Sequence, residues 1–322
     1  MAPPAEIARR PPPAVILGLL GAAVLVATAL HMTVGLRGNL AFALQLRMEQ
    51  LAALVTVSVA VALATVVFQT VTANRILTPS LIGLDSLYIL IQTGFVFILG
   101  GVGVATFGPV AKFAAEALLL SALSLALFLP LMRARTDLTL LLLAGAVLGI
   151  LFRSLASLLA RLIDPNSFAI VQALRVADFN TVDAALVWPC LGLTAGAAVL
   201  IWRLRHVLDI LALGPDAAVG LGVDWRRTSA LLLVLVGLLT AVATALVGPL
   251  VLFGLIVTAI AGPLGGERHA WRLPIASAVA VLLLVAGQTV LARILGYTLP
   301  VGVVIEFGGG LVFIALLLRR RR

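Results

Sequence analysis

The sequence predicts an all-α polytopic integral membrane protein with about ten transmembrane helices and both termini in the cytoplasm. Of its 322 residues, 62% are hydrophobic and 11% are charged, and the mean hydropathy is +1.22. Soluble domains contain only about 45–50% apolar residues, so this excess indicates a lipid environment. Apolar runs of about 20 residues, the length that crosses a bilayer, recur along the chain. The arginines are also unevenly divided between alternate connecting segments, which indicates an orientation.

Ten apolar runs are separated by glycine, proline or charged residues. We place them at about 14–34, 51–72, 83–101, 114–132, 138–160, 182–202, 228–247, 250–262, 273–295 and 302–318. The eighth follows Gly248-Pro249 and is short for a full crossing, which predicts a half-length or tilted element. The outer connection 163–181 mixes polar and apolar residues, as a short interfacial helix does. No soluble domain is evident, so residues 1–322 are predicted to form one transmembrane domain.

The amino-terminal stretch 1–13 is basic and proline-rich and precedes the first apolar run. A cleaved signal peptide is the competing interpretation of this arrangement. No clear small-x-small cleavage site precedes a soluble domain, and further spans follow at once. We therefore interpret the run as the first membrane helix.

The distribution of positive charge predicts which connections face the cytoplasm. With the amino terminus inside, 15 of the 22 Lys and Arg residues fall in cytoplasmic segments, six fall in outer segments, and Arg153 lies within a span. The reversed orientation would invert this bias. The tail 1–13, the segment 207–227 and the basic tail 319–322 are therefore predicted to be cytoplasmic. The net charge of +9 is thereby explained by membrane orientation, and no nucleic-acid partner is predicted.

The cytoplasmic segment 207–227 is predicted to contain a short helix of about two turns. Pro215 suits the first turn of a helix, and Asp216 places negative charge near its amino end. Gly222 is a good residue to end it. Such a helix is too short to be stable alone, so a partner is expected to pack against it. We interpret that partner as a cytoplasmic protein.

Motifs for catalysis, nucleotide binding and metal binding were not found in the sequence. The chain has one lysine, Lys112, and it lacks the flanking residues of a phosphate-binding loop. His31, His206 and His269 are far apart and form no metal-binding pair. Cys190 is the one cysteine, so a disulfide within the chain is excluded. We predict that the protein is not an enzyme and needs no cofactor or metal.

Polar residues at membrane depth are the candidates for a solute pathway. Arg153, Ser157 and Arg161 fall at i, i+4 and i+8 on one face of the fifth span. A cation at that depth faces protein or water, so this face either lines a cavity for an anionic solute or packs against other helices. Both interpretations remain open.

The third and tenth spans also carry ionisable or polar groups. Asp85, Tyr88 and Gln92 form a similar stripe on the third span. Glu306 lies about one turn into the tenth span, where it either serves a pathway or pairs with a neighbour such as Arg293 near the outer surface.

Several long segments resemble the ferric-siderophore permeases of the ABC importer superfamily, the class that includes the cobalamin permease. They are LQLR (44–47), FQTVTANRILTPSLIGLDSLYILIQT (68–93), LIDPNSFAIVQ (162–172), LDILALGPDAAVGLGVD (208–224) and ATALVGPLVLFGLIV (243–257). The run 74–88 looks most like the catecholate and petrobactin-type branch. The similarity covers essentially the whole chain.

The resemblance implies a ten-helix permease of the bacterial cytoplasmic membrane. It implies a second permease, identical or homologous, two cytoplasmic ATPases, and an extracytoplasmic siderophore-binding protein. The family's coupling helix corresponds to 212–222 here. The residues that it implies for ATPase coupling are Leu213, Gly214, Pro215, Asp216, Ala217, Ala218, Gly220 and Gly222.

The resemblance also implies docking sites for the binding protein at Arg47 and Arg293, on the outer surface. Where the family usually has LRLPR, this chain reads LRMEQ, so that Glu49 and Gln50 replace the proline and the second arginine. The candidate pathway residues remain Asp85, Gln92, Arg153, Ser157, Arg161 and Glu306.

The expected function is therefore uptake of a ferric siderophore by alternating access, driven by a separate ATPase. The alternative is an ion-coupled secondary transporter that works without an ATPase. The scarcity of predicted buried carboxylates and the isolated cytoplasmic helix both count against that alternative.

Overall fold

The computed structural model describes residues 11–36, 39–106, 108–133, 138–173, 177–180, 182–294, 302–305, 307–308 and 310–311. Within these residues, secondary structure is helical and no strand is present. The helices are α1 (Pro13–Thr33), α2 (Leu40–Val71), α3 (Leu84–Thr106), α4 (Pro109–Arg133), α5 (Leu138–Leu162), α6 (Pro165–Ala173), α7 (Ala184–Arg203), α8 (Arg205–Leu211), α9 (Pro215–Gly220), α10 (Trp225–Val247), α11 (Phe253–Gly265) and α12 (His269–Ile294).

The predicted membrane spans are largely confirmed. Each of the first nine corresponds to a described helix, and seven of these helices are long and apolar enough to cross a bilayer by themselves. α11 has 13 residues, as expected for the short eighth span. The predicted tenth span, 302–318, lies mainly outside the described residues, as do the tails 1–10 and 319–322.

The predicted start of the second span at residue 51 is wrong, because α2 begins at Leu40. The Asn39 side chain caps the helix by accepting hydrogen bonds from the backbone N–H groups of Ala41 and Phe42. The first turns of α2 carry polar residues and extend past the apolar core, so hydropathy alone did not reveal them. Arg47 therefore lies inside a helix and not before one.

The centre of the bundle is formed by α2 and α10. These two are the most buried of the spanning helices, and α2 packs against α7, α10, α11 and α12. The buried face of α2 is rich in small residues, including Ala53, Ala60 and Ala64. Small side chains let helix backbones approach closely in a membrane, where packing replaces the hydrophobic effect.

The connection between α2 and α3 is not helical, and its second half, from Leu77 onward, is largely buried. Leu77 and Ile82 have almost no exposed surface. Buried irregular backbone needs internal hydrogen bonds. The Asn74 side chain accepts one from the N–H of Ile76, and the Thr78 hydroxyl accepts one from the N–H of Leu81. This buried connection falls within the run 74–88 that carries the most specific sequence resemblance.

Glycines at the end of this connection set the distance between α3 and α5. Gly83 has φ +93°, and a Cβ atom placed on it would lie 2.7 Å from the Cα of Gly149 on α5. Gly145, one turn earlier on α5, faces Ile82 equally closely. No larger residue fits there without moving the backbone. Glycine packing therefore holds α5 against the start of α3.

The outer loop after α5 contains the predicted short helix, α6. Its first turn is capped by Asp164, whose Oδ1 accepts hydrogen bonds from the N–H groups of Asn166 and Ser167. Hydrogen bonds from the Ser167 side chain and backbone lower the pKa of the Asp164 carboxyl. The Ser167 hydroxyl also accepts a hydrogen bond from the N–H of Gly101, next to the break in α3 at Gly100. This hydrogen bond joins α6 to α3.

Candidate functional site

The short cytoplasmic helix forms where the sequence predicts it. α9 begins at Pro215 directly after Gly214, which has φ +100°. It ends before Gly222, which has φ +82° and so adopts a conformation that suits glycine. The N–H of Val223 donates to the carbonyl of Ala218 at 2.9 Å, closing the last turn. The predicted start and end of this helix are confirmed.

α9 is only partly covered by its own chain. Ala218 is fully buried against α8 and α10. Leu213, Val219 and Leu221 are instead 66%, 64% and 60% exposed. We call these three residues the coupling surface. Large apolar side chains exposed at a short helix between two spans are candidates for a protein contact.

A polar contact that sequence analysis missed holds this region to the bundle. On α8, Asp209 Oδ1 accepts hydrogen bonds from the backbone N–H of His269, at 2.8 Å, and from its Nδ1, at 2.7 Å. His269 Nε2 lies 2.7 Å from the Thr70 hydroxyl oxygen on α2. We call this set the Asp209–His269–Thr70 clamp. It joins α8 to the first residue of α12 and to the last turn of α2.

The clamp could not be predicted from sequence, where His269 belonged to no recognisable motif. Sixty residues separate it from Asp209 and almost two hundred separate it from Thr70. The available signal was the carboxylate of Asp209, a charge within the apolar run LDILAL that needs a partner if it is not fully exposed.

A second polar cluster lies beside the clamp at the cytoplasmic end of α2. The Gln69 side chain donates to the carbonyl of Arg75 and to the Thr258 hydroxyl, and it accepts from Arg272 at 3.0 Å. Arg75 in turn pairs with Glu267 at 2.7 Å and lowers the pKa of that exposed carboxyl. Together these contacts connect α2, α11 and α12 below the membrane core.

The structure places Arg153, Ser157 and Arg161 on one side of α5, as predicted. With Ser154, they line an open groove of about 420 Å³, the α5 groove. The Arg153 guanidinium donates to the Ser86 hydroxyl of α3 at 3.2 Å. The groove is lined by α5 alone, so another surface is needed to enclose it.

The predicted stripe of Asp85, Tyr88 and Gln92 is divided between two cavities. Asp85 is buried and lines a small space beside Thr65 of α2 and Thr240 of α10. Tyr88 and Gln92 line a different cavity of about 250 Å³ next to α4. The spacing is correct for one helix, but its two ends line different cavities, which meet at Thr244 of α10. Neither cavity adjoins the α5 groove among the described residues.

Glu116 is a buried carboxyl group that sequence analysis did not single out. It lies in the larger cavity, where the Tyr88 hydroxyl donates to its Oε2 at 3.4 Å and Lys112 Nζ lies 3.6 Å from its Oε1. Gln92 Nε2 donates to the Tyr88 oxygen at 2.6 Å. Because α4 starts at Pro109, five residues earlier than predicted, Glu116 lies inside the helix and not at its end.

Arg47, a predicted docking residue, has internal contacts. Its Nη1 donates to the carbonyls of His31 and Met32, at 2.7 and 3.1 Å, in the last turn of α1. Cations favour helix carboxyl termini, so this contact stabilises α1. The side chain of Arg293 and the whole of Glu306 lie outside the described residues.

Comparison with solved structures shows the class of fold. The chain is similar to a metal-chelate type ABC transporter in an inward-facing conformation, with a TM-score of 0.82, 22% identity, and coverage of 95% of this chain and 99% of that one. It is less similar to PsaBC from Streptococcus pneumoniae, with a TM-score of 0.60 and 18% identity over 84% of this chain and 90% of that one. The chain therefore shares the fold of these structures.

Sequence comparison then identifies the family. The FecCD transport family matches residues 14–319, so the chain belongs to that family. It is 37% identical to the petrobactin import system permease protein YclO of Bacillus subtilis, over 88% of this chain and 91% of the relative. It is 31% identical to the petrobactin import system permease protein FatC of Bacillus anthracis, over 85% and 78%. The predicted resemblance is confirmed, and the chain is a multi-pass protein of the bacterial cytoplasmic membrane.

Proposed function

We propose that this chain is the permease subunit of an ABC importer that carries a ferric siderophore into the cytoplasm. The observation that carries this proposal is the coupling surface at α9, whose three apolar side chains are exposed. The arginine distribution predicts that it faces the cytoplasm. The petrobactin permeases named above support the substrate class. A charged chelate also suits the two arginines of the α5 groove.

A separate partner subunit binds and hydrolyses ATP. A cytoplasmic ATPase packs on the coupling surface, and its movement displaces α9 and α8 together. The Asp209–His269–Thr70 clamp then carries the displacement to α2 and α12 as a rigid-body shift. The coupling role is proposed for the residues predicted from sequence, Leu213, Gly214, Pro215, Asp216, Ala217, Ala218, Gly220 and Gly222. No catalytic group, cofactor, metal or nucleic acid takes part in this chain's own role.

The pathway runs between this chain and a second permease. The α5 groove becomes a closed channel when a second copy or a homologue covers it, and Arg153 and Arg161 attract the anionic ligand. An extracytoplasmic siderophore-binding protein delivers the ligand to the outer surface. Arg47 and Arg293 are the proposed contacts.

A secondary transporter driven by an ion gradient is the alternative function. Asp85 and Glu116 are buried carboxyl groups of the kind such transporters use. They lie in separate cavities, however, and a secondary transporter has no use for an exposed apolar helix on its cytoplasmic side. The family also argues against it.

The deciding experiment is purification of this chain from its native membrane with its partners. A Val219→Asp variant places a charge at the centre of the coupling surface and should lose the ATPase. Phe42→Asp is the matched control, since Phe42 is 68% exposed on the outer end of α2. It should retain the ATPase.

Uptake by vesicles separates the two functions. ATP-dependent uptake of ferric petrobactin that is lost in Val219→Asp supports the importer. Uptake by the purified chain alone, without ATP and abolished by collapse of the proton gradient, would overturn the proposal.

A further inference from the structure

An apolar groove opens toward the lipid at the cytoplasmic side of the bundle. α7 and α12 both pack extensively on α2 but hardly touch one another, so a wedge remains between them. Its floor and walls include Leu63 of α2, Ala198 of α7 and Pro274 of α12. The space measures about 360 Å³. We call it the α2–α7–α12 groove.

The groove is apolar along its length and positive at its cytoplasmic rim. Arg203, at the last residue of α7, is its one charged lining residue in the described part of the chain. Arg203 is exposed and makes no hydrogen bond or ion pair with another described residue. The Ser277 hydroxyl in the groove already donates to the carbonyl of Leu273. An occupant therefore meets an apolar wall and a single available guanidinium.

The residues at the rim are those expected at the level of lipid headgroups. Trp202 lines the groove and is 42% exposed. The Arg205 guanidinium lies 4.9 Å from the centre of the Trp202 ring, which adds a second cation beside Arg203. Tryptophan and arginine concentrate at the cytoplasmic membrane interface.

The groove occupies part of the depth of the cytoplasmic leaflet. Its lining extends from Val59 to Leu63 on α2 and from Ala198 to Arg203 on α7, about 6 and 8 Å at 1.5 Å per residue. Half of the hydrocarbon core of a bilayer is about 15 Å thick. An acyl chain lying between α7 and α12 therefore contacts the groove along the half nearer its headgroup, with the phosphate on the side of Arg203.

We propose that the α2–α7–α12 groove is a binding site for an anionic phospholipid of the cytoplasmic leaflet. One acyl chain lies along Leu63, Ala198 and Pro274, and the phosphodiester pairs with Arg203. Guanidinium groups bind phosphate through two parallel hydrogen bonds. Arg205 and its ring contact hold a second positive charge near the headgroup. The site stands on the fold alone and does not depend on the transported solute.

Native mass spectrometry of the full-length chain in detergent tests the proposal, with phosphatidylglycerol and phosphatidylethanolamine of identical acyl chains as probes. Both lipids carry the phosphodiester, but Arg203 and Arg205 repel the ammonium group of phosphatidylethanolamine, so we expect phosphatidylglycerol to bind more tightly. Arg203→Gln should weaken the binding of phosphatidylglycerol about fivefold, which is the change in affinity that one arginine near a membrane surface contributes. Arg226→Gln is the matched control, because Arg226 is an exposed cytoplasmic arginine outside the groove, and it should have no effect.

A second pair of variants tests the apolar part of the site. Ala198→Phe fills the groove and should abolish the preference for phosphatidylglycerol with Arg203 intact. Ala195→Phe adds the same volume at an exposed position of α7 outside the groove and should leave binding unchanged. Thermal unfolding of each variant verifies that the chain is folded. Equal binding of both lipids, or equal losses in Arg203→Gln and Arg226→Gln, would overturn the proposal.

Discussion

Individual glycines decide how closely α5 approaches the rest of the bundle. Gly83 combines a positive φ with a backbone contact to Gly149, so an added methyl group meets main-chain atoms and not a movable side chain. The same region carries Ser86, which receives the hydrogen bond of Arg153. The position of the candidate pathway residue therefore depends on a glycine three residues before its partner.

Gly83→Ala should lower the free energy of unfolding by about 2 kcal/mol, because the substitution adds both backbone strain and a steric clash. Thermal unfolding in detergent measures this effect. Gly94→Ala, also on α3, has no atom within 4 Å of the new Cβ and should leave stability unchanged or raise it. Equal stability of the two variants would contradict the assigned contact.

The charge of the α5 groove gives a second prediction at this scale. The double substitution Arg153→Gln and Arg161→Gln should reduce ATP-dependent uptake of ferric petrobactin at least tenfold, since both cations face the proposed pathway. Uptake into vesicles measures it. Arg227→Gln, an exposed arginine on the cytoplasmic end of α10, serves as the control. Unchanged uptake in the double variant would remove both arginines from the pathway.

Short elements on the cytoplasmic side connect an exposed surface to buried helices. α8 and α9 have seven and six residues, too few for stable isolated helices. Buried Leu208, Leu211 and Ala218 anchor them to the bundle by apolar contacts. The clamp adds hydrogen bonds of fixed geometry. We therefore expect a displacement of α9 to move α12 and α2 as well.

His269→Ala should uncouple ATP hydrolysis from uptake while the ATPase still binds. The variant keeps the hydrogen bond from the backbone N–H of residue 269 to Asp209 but removes both contacts of the imidazole ring. We expect this loss to lower the free energy of unfolding by about 1–3 kcal/mol. Co-purification of the ATPase and uptake per folded transporter are the two measurements. His206→Ala, on an exposed position of α8, should behave like the unmodified protein. Normal uptake in His269→Ala would exclude the clamp from transmission.

At the scale of the whole molecule, α5 and α1 are the two least buried of the spanning helices among the described residues. α5 packs mainly on α3, and its other sides expose Leu143, Ile150, Leu158 and Leu162, each by more than half. Lipid can cover these apolar side chains, but it does not satisfy the arginines between them. A second permease placed against α5 covers both, which is the arrangement proposed for the pathway.

Site-specific photocrosslinking tests that arrangement in native membranes. Leu158→p-benzoylphenylalanine, on α5, should form an adduct with a second chain of permease size, whether a copy or a homologue. Leu193→p-benzoylphenylalanine, 40% exposed on α7, should form none, because that face meets lipid. Protein adducts at position 193 with none at 158 would place the interface on α7 instead.

Much of this architecture follows from local sequence. Apolar length predicts the spans, arginine distribution predicts their orientation, and Pro215 and Gly222 mark the ends of α9. The side that each helix presents to its neighbours does not follow from local sequence. A membrane helix is apolar on nearly all sides, so its sequence contains no clear stripe to show which side is buried.

Local sequence therefore determined that this chain is a helical membrane protein with a short helix between two of its spans. Only the tertiary structure decided that Asp85 and Gln92 occupy separate cavities and that Arg47 caps α1. The tertiary structure also decided that Asp209 accepts a hydrogen bond from the His269 ring. The physical reason is that spans and turns depend on neighbouring residues, whereas these pairings depend on how helices rotate and pack against one another over long separations in the chain.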